Sequence, residues 1–287
     1  MYPANFDYHR AGSVAEALDL LGQNEDAKLI AGGHSLLPMM KLRLAQPSQL
    51  IDIGGLSDLK GISAGEGSIR IGALTTHAEI AASAELAEGC AIVAEAAAEI
   101  GDPQVRNRGT IGGNLSHADP ASDLPGVVLA LGGTIEIVGK GGGRSVAAAD
   151  FFVDLLTTAL GEDEILAAVT VPTLGAGTGS AYLKFEHPAS GYAVVGAAAI
   201  VTMSGGSCES ASLCFNGVTA TPLSADAVGG ALAGGSADDA AIDAAVDSNL
   251  SVDDPLSDVF ASGDYRAHIA GVYAKRALRE ARGRARS

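Results

Sequence analysis

A chain of 287 residues can bury a full core and divide into two or three units. Its formal net charge of −16 opposes non-specific nucleic-acid binding. Hydrophobic residues make up 47%, yet the longest apolar run, Ala193 to Met203, falls well short of the ~20 residues of a membrane helix. The start, Met1-Tyr2-Pro3-Ala4-Asn5-Phe6-Asp7, has no basic region leading into an apolar stretch, so a secretory leader is not expected. The composition reads as cytoplasmic and soluble. Cys90, Cys208 and Cys214 are odd in number and form no C-x-x-C, which fits a reducing compartment. They are also too few for an iron–sulfur cluster, which takes about four thiolates.

Ser13-Val14-Ala15-Glu16 reads as a capping box opening a helix to about Leu21. Ala27 to Ala31 is a short apolar strand running into Gly32-Gly33-His34-Ser35, after which Ser35 can cap a helix from Leu36 to Leu44. Leu50 to Ile53 is a second strand, so the first unit is expected to be a small parallel α/β layer. Beyond Gly54, Ser68 to Ala73 alternates like a half-buried strand, and Thr76 can cap a helix beginning at His77 with Glu79 close behind. Cys90 to Ile100 is an alanine-rich helix that Gly101 can end in a left-handed conformation. The long polar stretch from Asp102 to Asp123 follows, too rich in specific polar groups for disorder. Strands are expected at Thr134–Val138 and Glu164–Val171, with a linker at Thr173–Ser180. An antiparallel meander (Ala181–Glu186, Ala193–Met203, Cys208–Val218) then precedes helices near Ser224–Leu232, Ala237–Asn249 and Tyr265–Arg279. The division expected is 1–54, 55–173 and 178–287, an α+β fold throughout. Lys275, Arg276, Arg279, Arg282, Arg284 and Arg286 crowd the end of the chain, where they suit the negative end of a closing helix or an acidic partner.

Two glycine-centred turns carry the chemistry: Ala31-Gly32-Gly33-His34-Ser35 and Thr110-Ile111-Gly112-Gly113-Asn114. Adjacent glycines let the backbone turn at positive φ and approach a ligand closely, and successive N–H groups can nest an anion. Either turn alone reads more readily as a tight turn. A pair suggests a pyrophosphate held between them. The pattern is not the G-x-G-x-x-G of a Rossmann site.

Ala31-Gly32-Gly33-His34-Ser35-Leu36-Leu37-Pro38, with Lys41-Leu42-Arg43-Leu44 behind it, resembles the first flavin motif of the FAD-binding medium subunits of molybdenum hydroxylases. Asp102 through Asn114 resembles their second motif, and the likeness extends over essentially the whole chain, nearest the carbon monoxide dehydrogenase branch. The resemblance implies a two-subdomain FAD-binding fold of the PCMH (vanillyl-alcohol-oxidase-like) type, followed by an antiparallel-sheet and helix domain. It implies non-covalent FAD on Ala31, Gly32, Gly33, His34, Ser35, Leu36, Thr110, Ile111, Gly112, Gly113 and Asn114. It also implies Asp123 on ribityl or ribose hydroxyls and Leu166 near the adenine. Lys184 and Tyr192 would tune and cover the ring. Read without the family, Asp123 is equally a helix N-cap, Leu166 strand core, Lys184 an exposed strand lysine and Tyr192 a strand-start tyrosine. His34 also suits covalent attachment of flavin, as in some flavin oxidases, whereas His117 has no neighbours at metal-ligand spacing. Implied partners are a large subunit with the molybdenum cofactor and a small subunit with [2Fe-2S] clusters, in an (LMS)2 assembly. A quinone-like acceptor and a place in the cytoplasm or at the inner face of the membrane complete the expectation.

Overall fold

The computed structural model describes residues 2–285, so Arg286 of the basic cluster lies outside the described residues. The first unit contains β1 (Asp7–Arg10), α1 (Val14–Leu21), β2 (Ala27–Ile30), α2 (Leu36–Lys41) and β3 (Gln49–Asp52). β2 and β3 pair in parallel, as the strand–helix–strand pattern predicts, and β1, a strand the pattern does not mark, adds in parallel on the other side of β3 to give the order β1-β3-β2. Ser13 caps α1 by accepting from the Glu16 N–H, but Glu16 reaches back to the Gly12 N–H at 2.7 Å, so the expected reciprocal box is displaced by one residue. The expected Ser35 cap is absent. Ser35 already has helical backbone angles (φ −103°, ψ −52°), which carry its hydroxyl away from the first-turn N–H groups. The helix ends at Lys41, three residues before the expected Leu44.

The second unit is a five-stranded antiparallel sheet with helices. In chain order it comprises β4 (Ile62–Gly65), β5 (Ser68–Gly72), α3 (His77–Ala81), α4 (Ala84–Gly89), α5 (Ala91–Ala98), α6 (Pro103–Arg106), α7 (Ile111–His117) and α8 (Leu124–Ala130). β6 (Thr134–Gly139), β7 (Gly142–Ala147), α9 (Ala148–Phe151), β8 (Phe152–Asp154), β9 (Thr157–Thr158) and β10 (Glu164–Pro172) complete it. The strand order is β4-β5-β10-β6-β7, with β8 and β9 as a separate ribbon. Thr76 caps α3 as expected, and Glu79 reaches back to complete a capping box. Gly101 is left-handed at φ +48°, but α5 already ends at Ala98 with Glu99 as its C-cap, short of the expected Ile100. The polar stretch after Gly101 is not one irregular segment, because Asp102 and Thr110 cap the short helices α6 and α7. β7 escapes sequence patterning because Gly-Gly-Arg-Ser at an exposed sheet edge carries no apolar alternation.

The third unit comprises β11 (Thr178–Glu186), β12 (Ala193–Ser204), β13 (Ser207–Asn216), β14 (Leu223–Ser224), α10 (Asp226–Leu232), α11 (Asp239–Asn249) and α12 (Gly263–Arg284). The expected three-stranded meander gains a fourth short strand, β14, so the helix read from Ser224 starts at Asp226. The terminal cations do not simply offset the end of α12. Lys275 pairs with Asp247 at 2.6 Å, Arg282 with Asp239 at 2.9 Å and Arg284 with Glu95 at 2.8 Å, so they bind α12 to the acidic face of α11 and to α5.

Shared cores lock the units together. Tyr182, Ala198 and Cys214 of the third sheet pack into the core of the second unit, while Ile165 and Ala167 of β10 pack into that of the first. Asn216, 2% exposed, accepts from the Gly126 N–H at 2.7 Å and donates to the Asp123 carbonyl at 2.8 Å, fixing β13 to the start of α8. The three cysteines are buried, and burial lifts the thiol pKa of Cys90 to about 12 and that of Cys214 to about 11. No described helix is long and apolar enough to cross a membrane.

Candidate functional site

A cleft of about 790 Å³ runs between the first and second units, with the Ser190–Tyr192 loop of the third at its rim. All of the site residues expected from sequence line it except Ile111 and Lys184. That volume is in the upper part of the usual ~300–1,000 Å³ range for ligand sites, so it suits a long ligand.

The two glycine turns meet but differ in kind. In the first, Gly33 takes φ +77°, and the backbone N–H groups of Gly32, Gly33, His34 and Ser35 donate to no acceptor in the described chain. These are the free donors an anion needs. A side chain on Gly32 would collide with the Arg108 carbonyl oxygen and would lie 2.9 Å from the Gly109 Cα. The glycine is therefore what lets this turn rest on the backbone that enters the second.

The second turn is not an open nest. Its N–H groups are engaged: Ile111 with Thr75 O at 3.1 Å, Gly112 with Ala73 O at 2.8 Å, Gly113 with Thr110 Oγ1 at 3.2 Å and Asn114 with Thr110 O at 2.9 Å. Gly112 and Gly113 are helical, and positive φ is not their purpose. Gly112 gives room to Ala73, whose Cβ would be 2.5 Å from an added methyl, while a methyl on Gly113 would come near Thr110 Oγ1 alone, at 3.0 Å. Ile111 is fully buried in the core and anchors the turn from behind. The polar contribution of this turn falls to Asn114, which donates to Ser122 Oγ at 3.0 Å while its buried Oδ1 has no partner.

Asp123 is 4% exposed and makes no N-cap bond, so the capping alternative fails. Its Oδ1 accepts from Tyr182 Oη at 2.7 Å and lies 3.0 Å from Lys184 Nζ, leaving Oδ2 without a partner in the described chain. Burial pushes the carboxyl up to about 6, against the lowering pull of Lys184 and Tyr182. Lys184 is not an exposed strand lysine. Its side chain is 2% exposed and sits behind the cleft wall, where Nζ also donates to the carbonyls of Glu99 at 2.6 Å and Gly191 at 2.8 Å. Lys184 thus ties the end of α5, the Asp123 wall and the Tyr192 loop to one ammonium. Gly196 on β12 leaves room for the Tyr182 hydroxyl to reach Asp123. Tyr192 is 48% exposed at the rim, and Leu166, 4% exposed, lines the cleft beside a β-bulge in β10 while packing in the core. His34 and His117 line the cleft as well.

Residues 4–174 match the FAD binding domain in molybdopterin dehydrogenase, and residues 180–281 match the CO dehydrogenase flavoprotein C-terminal domain. The chain is 41% identical to the carbon monoxide dehydrogenase medium chain of Afipia carboxidovorans over 100% of both chains. It is 38% identical to the 6-hydroxypseudooxynicotine dehydrogenase complex subunit alpha of Paenarthrobacter nicotinovorans, over 100% of this chain and 97% of that one. It is similar, with a TM-score of 0.96 and 41% identity, to a chain of the crystal structure of the Cu,Mo-CO dehydrogenase in its cyanide-inactivated form, covering 99% of this chain and 100% of that one.

The chain belongs to the FAD-binding medium subunits of the molybdenum hydroxylases.

The residues of this medium subunit fit an extended, anionic, hydroxyl-rich ligand: four free N–H groups on one turn, an unpartnered Asn114 oxygen and a half-used carboxylate at Asp123. Sequence reading passed over His77, which lines the same cleft, is 3% exposed and is held neutral by burial, its pKa lowered to about 4. A lone histidine at the start of a five-residue helix gives no sequence signal, and only the packing of Gly109 against its ring marks it.

The different surroundings of Gly112 and Gly113 separate fold from binding. Gly112→Ala is expected to cost about 1–3 kcal/mol of stability by overpacking against Ala73. Gly113→Ala is expected to leave the melting temperature within a few degrees while lowering FAD occupancy. Calorimetry and the flavin-to-protein absorbance ratio of the two purified variants check this, and equal loss of flavin with equal loss of stability would count against it.

Proposed function

We propose that this chain is the electron-relay subunit of a molybdenum hydroxylase. It holds FAD non-covalently in the cleft and passes electrons from [2Fe-2S] clusters of a small partner to an external acceptor such as a quinone. A large partner carries the molybdenum cofactor and oxidises the substrate, carbon monoxide to carbon dioxide, within an (LMS)2 assembly in the cytoplasm or at the inner face of its membrane. The organising units are 1–54, 55–173 and 178–287, each built on one of the three larger sheets, with the two-stranded β8–β9 ribbon inside the second.

The observation that carries the reading is the pairing, in one cleft, of a turn with four free N–H groups and a buried carboxylate backed by a buried ammonium. FAD, when bound, supplies the exchange between two-electron and one-electron steps. The chain's own task is binding and tuning. The 32–35 turn and Asn114 take the pyrophosphate and neighbouring groups, and Thr110 and Ile111 fix the second turn in place. Leu36 and Leu166 supply apolar walls, Leu166 at the adenine end. Asp123 accepts from ribityl or ribose hydroxyls through its free Oδ2. Lys184 keeps that carboxylate charged and places a positive charge behind the ring, which favours the electron-rich form. Tyr192 covers one ring face and limits solvent. His34 contributes its backbone and position.

Denaturing the purified protein and filtering it tests the mode of attachment: all flavin is expected in the filtrate, and flavin left on the His34 peptide would overturn the non-covalent reading. Co-purified with its partners, the complex is expected to lose flavin absorbance under carbon monoxide. Bleaching by an aldehyde, a purine or an N-heterocycle, with none under carbon monoxide, would reassign the substrate.

A further inference from the structure

His77 is the one buried imidazole lining the cleft, and neither ring nitrogen has a hydrogen-bond partner among the described residues; Nδ1 is sealed from solvent as well. A neutral imidazole must carry its proton on one nitrogen, and a buried N–H without an acceptor is costly. With Nδ1 enclosed, the proton belongs on Nε2, the nitrogen that lies alongside Gly109.

The surroundings say what accepts it. The His77 backbone N–H donates to Gly109 O at 3.0 Å, and Thr76 bridges to Thr110, so the residue is fixed to the entry of the second glycine turn. The first turn packs on that same backbone through Gly32, and His34 lines the same cleft. The imidazole thus sits at the junction of the two turns. Resting on the FAD reading above, we propose that His77 is a cofactor-contact residue whose Nε2–H donates to an oxygen of the FAD diphosphate, with Gly109 kept small so that the ring can lie flat against the turn.

The full-length protein, stripped of flavin, is titrated with FAD by fluorescence, and bound FAD is examined by phosphorus-31 NMR. His77→Leu is expected to raise the Kd for FAD by about tenfold or more, since a hydrogen bond to a charged group is lost. It should also move the diphosphate resonances while leaving the flavin absorption bands in place. His77→Gln, which keeps a donor at the Nε2 position, is expected to recover most of the affinity. An unchanged Kd together with unmoved phosphorus resonances in His77→Leu would overturn the proposal and leave His77 as cleft wall. Should His77→Leu fail to fold, nitrogen-15 histidine spectra of the natural protein decide. FAD is expected to shift the His77 Nε2 resonance and slow its N–H exchange, and an unmoved resonance overturns the assignment. A natural protein that takes up no FAD at all would sink the FAD reading itself.

Discussion

Exchanging Lys184 for methionine is expected to destabilise the fold by about 3–5 kcal/mol, the cost of stranding one member of a buried ion pair. The loss is large because one ammonium serves three acceptors: the Asp123 carboxylate, the Glu99 carbonyl at the end of α5 and the Gly191 carbonyl below Tyr192. It also carries a pH signature. Asp123 already titrates near 6 in the folded chain against 3.8 in the reference state, so its protonated form favours folding, and that contribution fades as pH rises through the folded value. Removing Lys184 removes a lowering influence and carries the folded value higher still. The variant is therefore expected to gain melting temperature on acidification from pH 8 to pH 6, where the natural protein gains less. It should also hold FAD poorly at neutral pH, because a protonated Asp123 is a weaker acceptor for hydroxyls. Parallel melting profiles for the two proteins over that range would contradict the assignment of Lys184 as the group that keeps Asp123 ionised.

Gly32→Ala is expected to have the second large effect, and at a different link. The added methyl would overlap the Arg108 carbonyl oxygen, a backbone atom that no side-chain rotation can clear. The two turns must then move apart. Overpacking of this kind costs about 1–3 kcal/mol, and the displaced N–H groups of the first turn are expected to weaken FAD binding by about a hundredfold. The flavin-to-protein ratio and a fluorescence titration measure this directly. Full flavin occupancy in the variant would mean that the turn's position is not what holds the cofactor.

Much of the fold was legible because helix caps and apolar alternation are local. Thr76 with Glu79, the left-handed Gly101 and the meander of β11, β12 and β13 sit close to where short-range patterning puts them, although β11 begins at Thr178, inside the expected linker, and α5 stops at Ala98 before Gly101 is reached. Ser35 misleads because its neighbours suit a cap while its backbone is already helical. The exposed ribbon Phe152–Thr158 and the β7 edge were illegible for the opposite reason, since strands without a buried face need no alternation. At the site, the motif residues marked the cleft but not the roles of the two turns. Whether an N–H of the second turn is free or engaged depends in part on Thr75 and Ala73, far away in sequence, whose carbonyls accept from Ile111 and Gly112. Lys184 and His77 are the clearest cases. Burial of a lysine or histidine is a tertiary fact, set for Lys184 by Asp123, Glu99 and Gly191, and for His77 by the approach of Gly109.

The Asn216 brace has a bearing on the order in which this protein can be put together. It grips the Asp123 carbonyl and the Gly126 N–H from 93 and 90 residues further along the chain, and Tyr182 and Lys184 hold the Asp123 side chain from the same sheet. A newly made chain that has folded its first two sheets alone would present the glycine turns beside a loose wall. On the FAD assignment proposed above, flavin capture is expected only once the last sheet has docked, and the yellow colour of a preparation is then expected to gauge how many molecules have completed that docking.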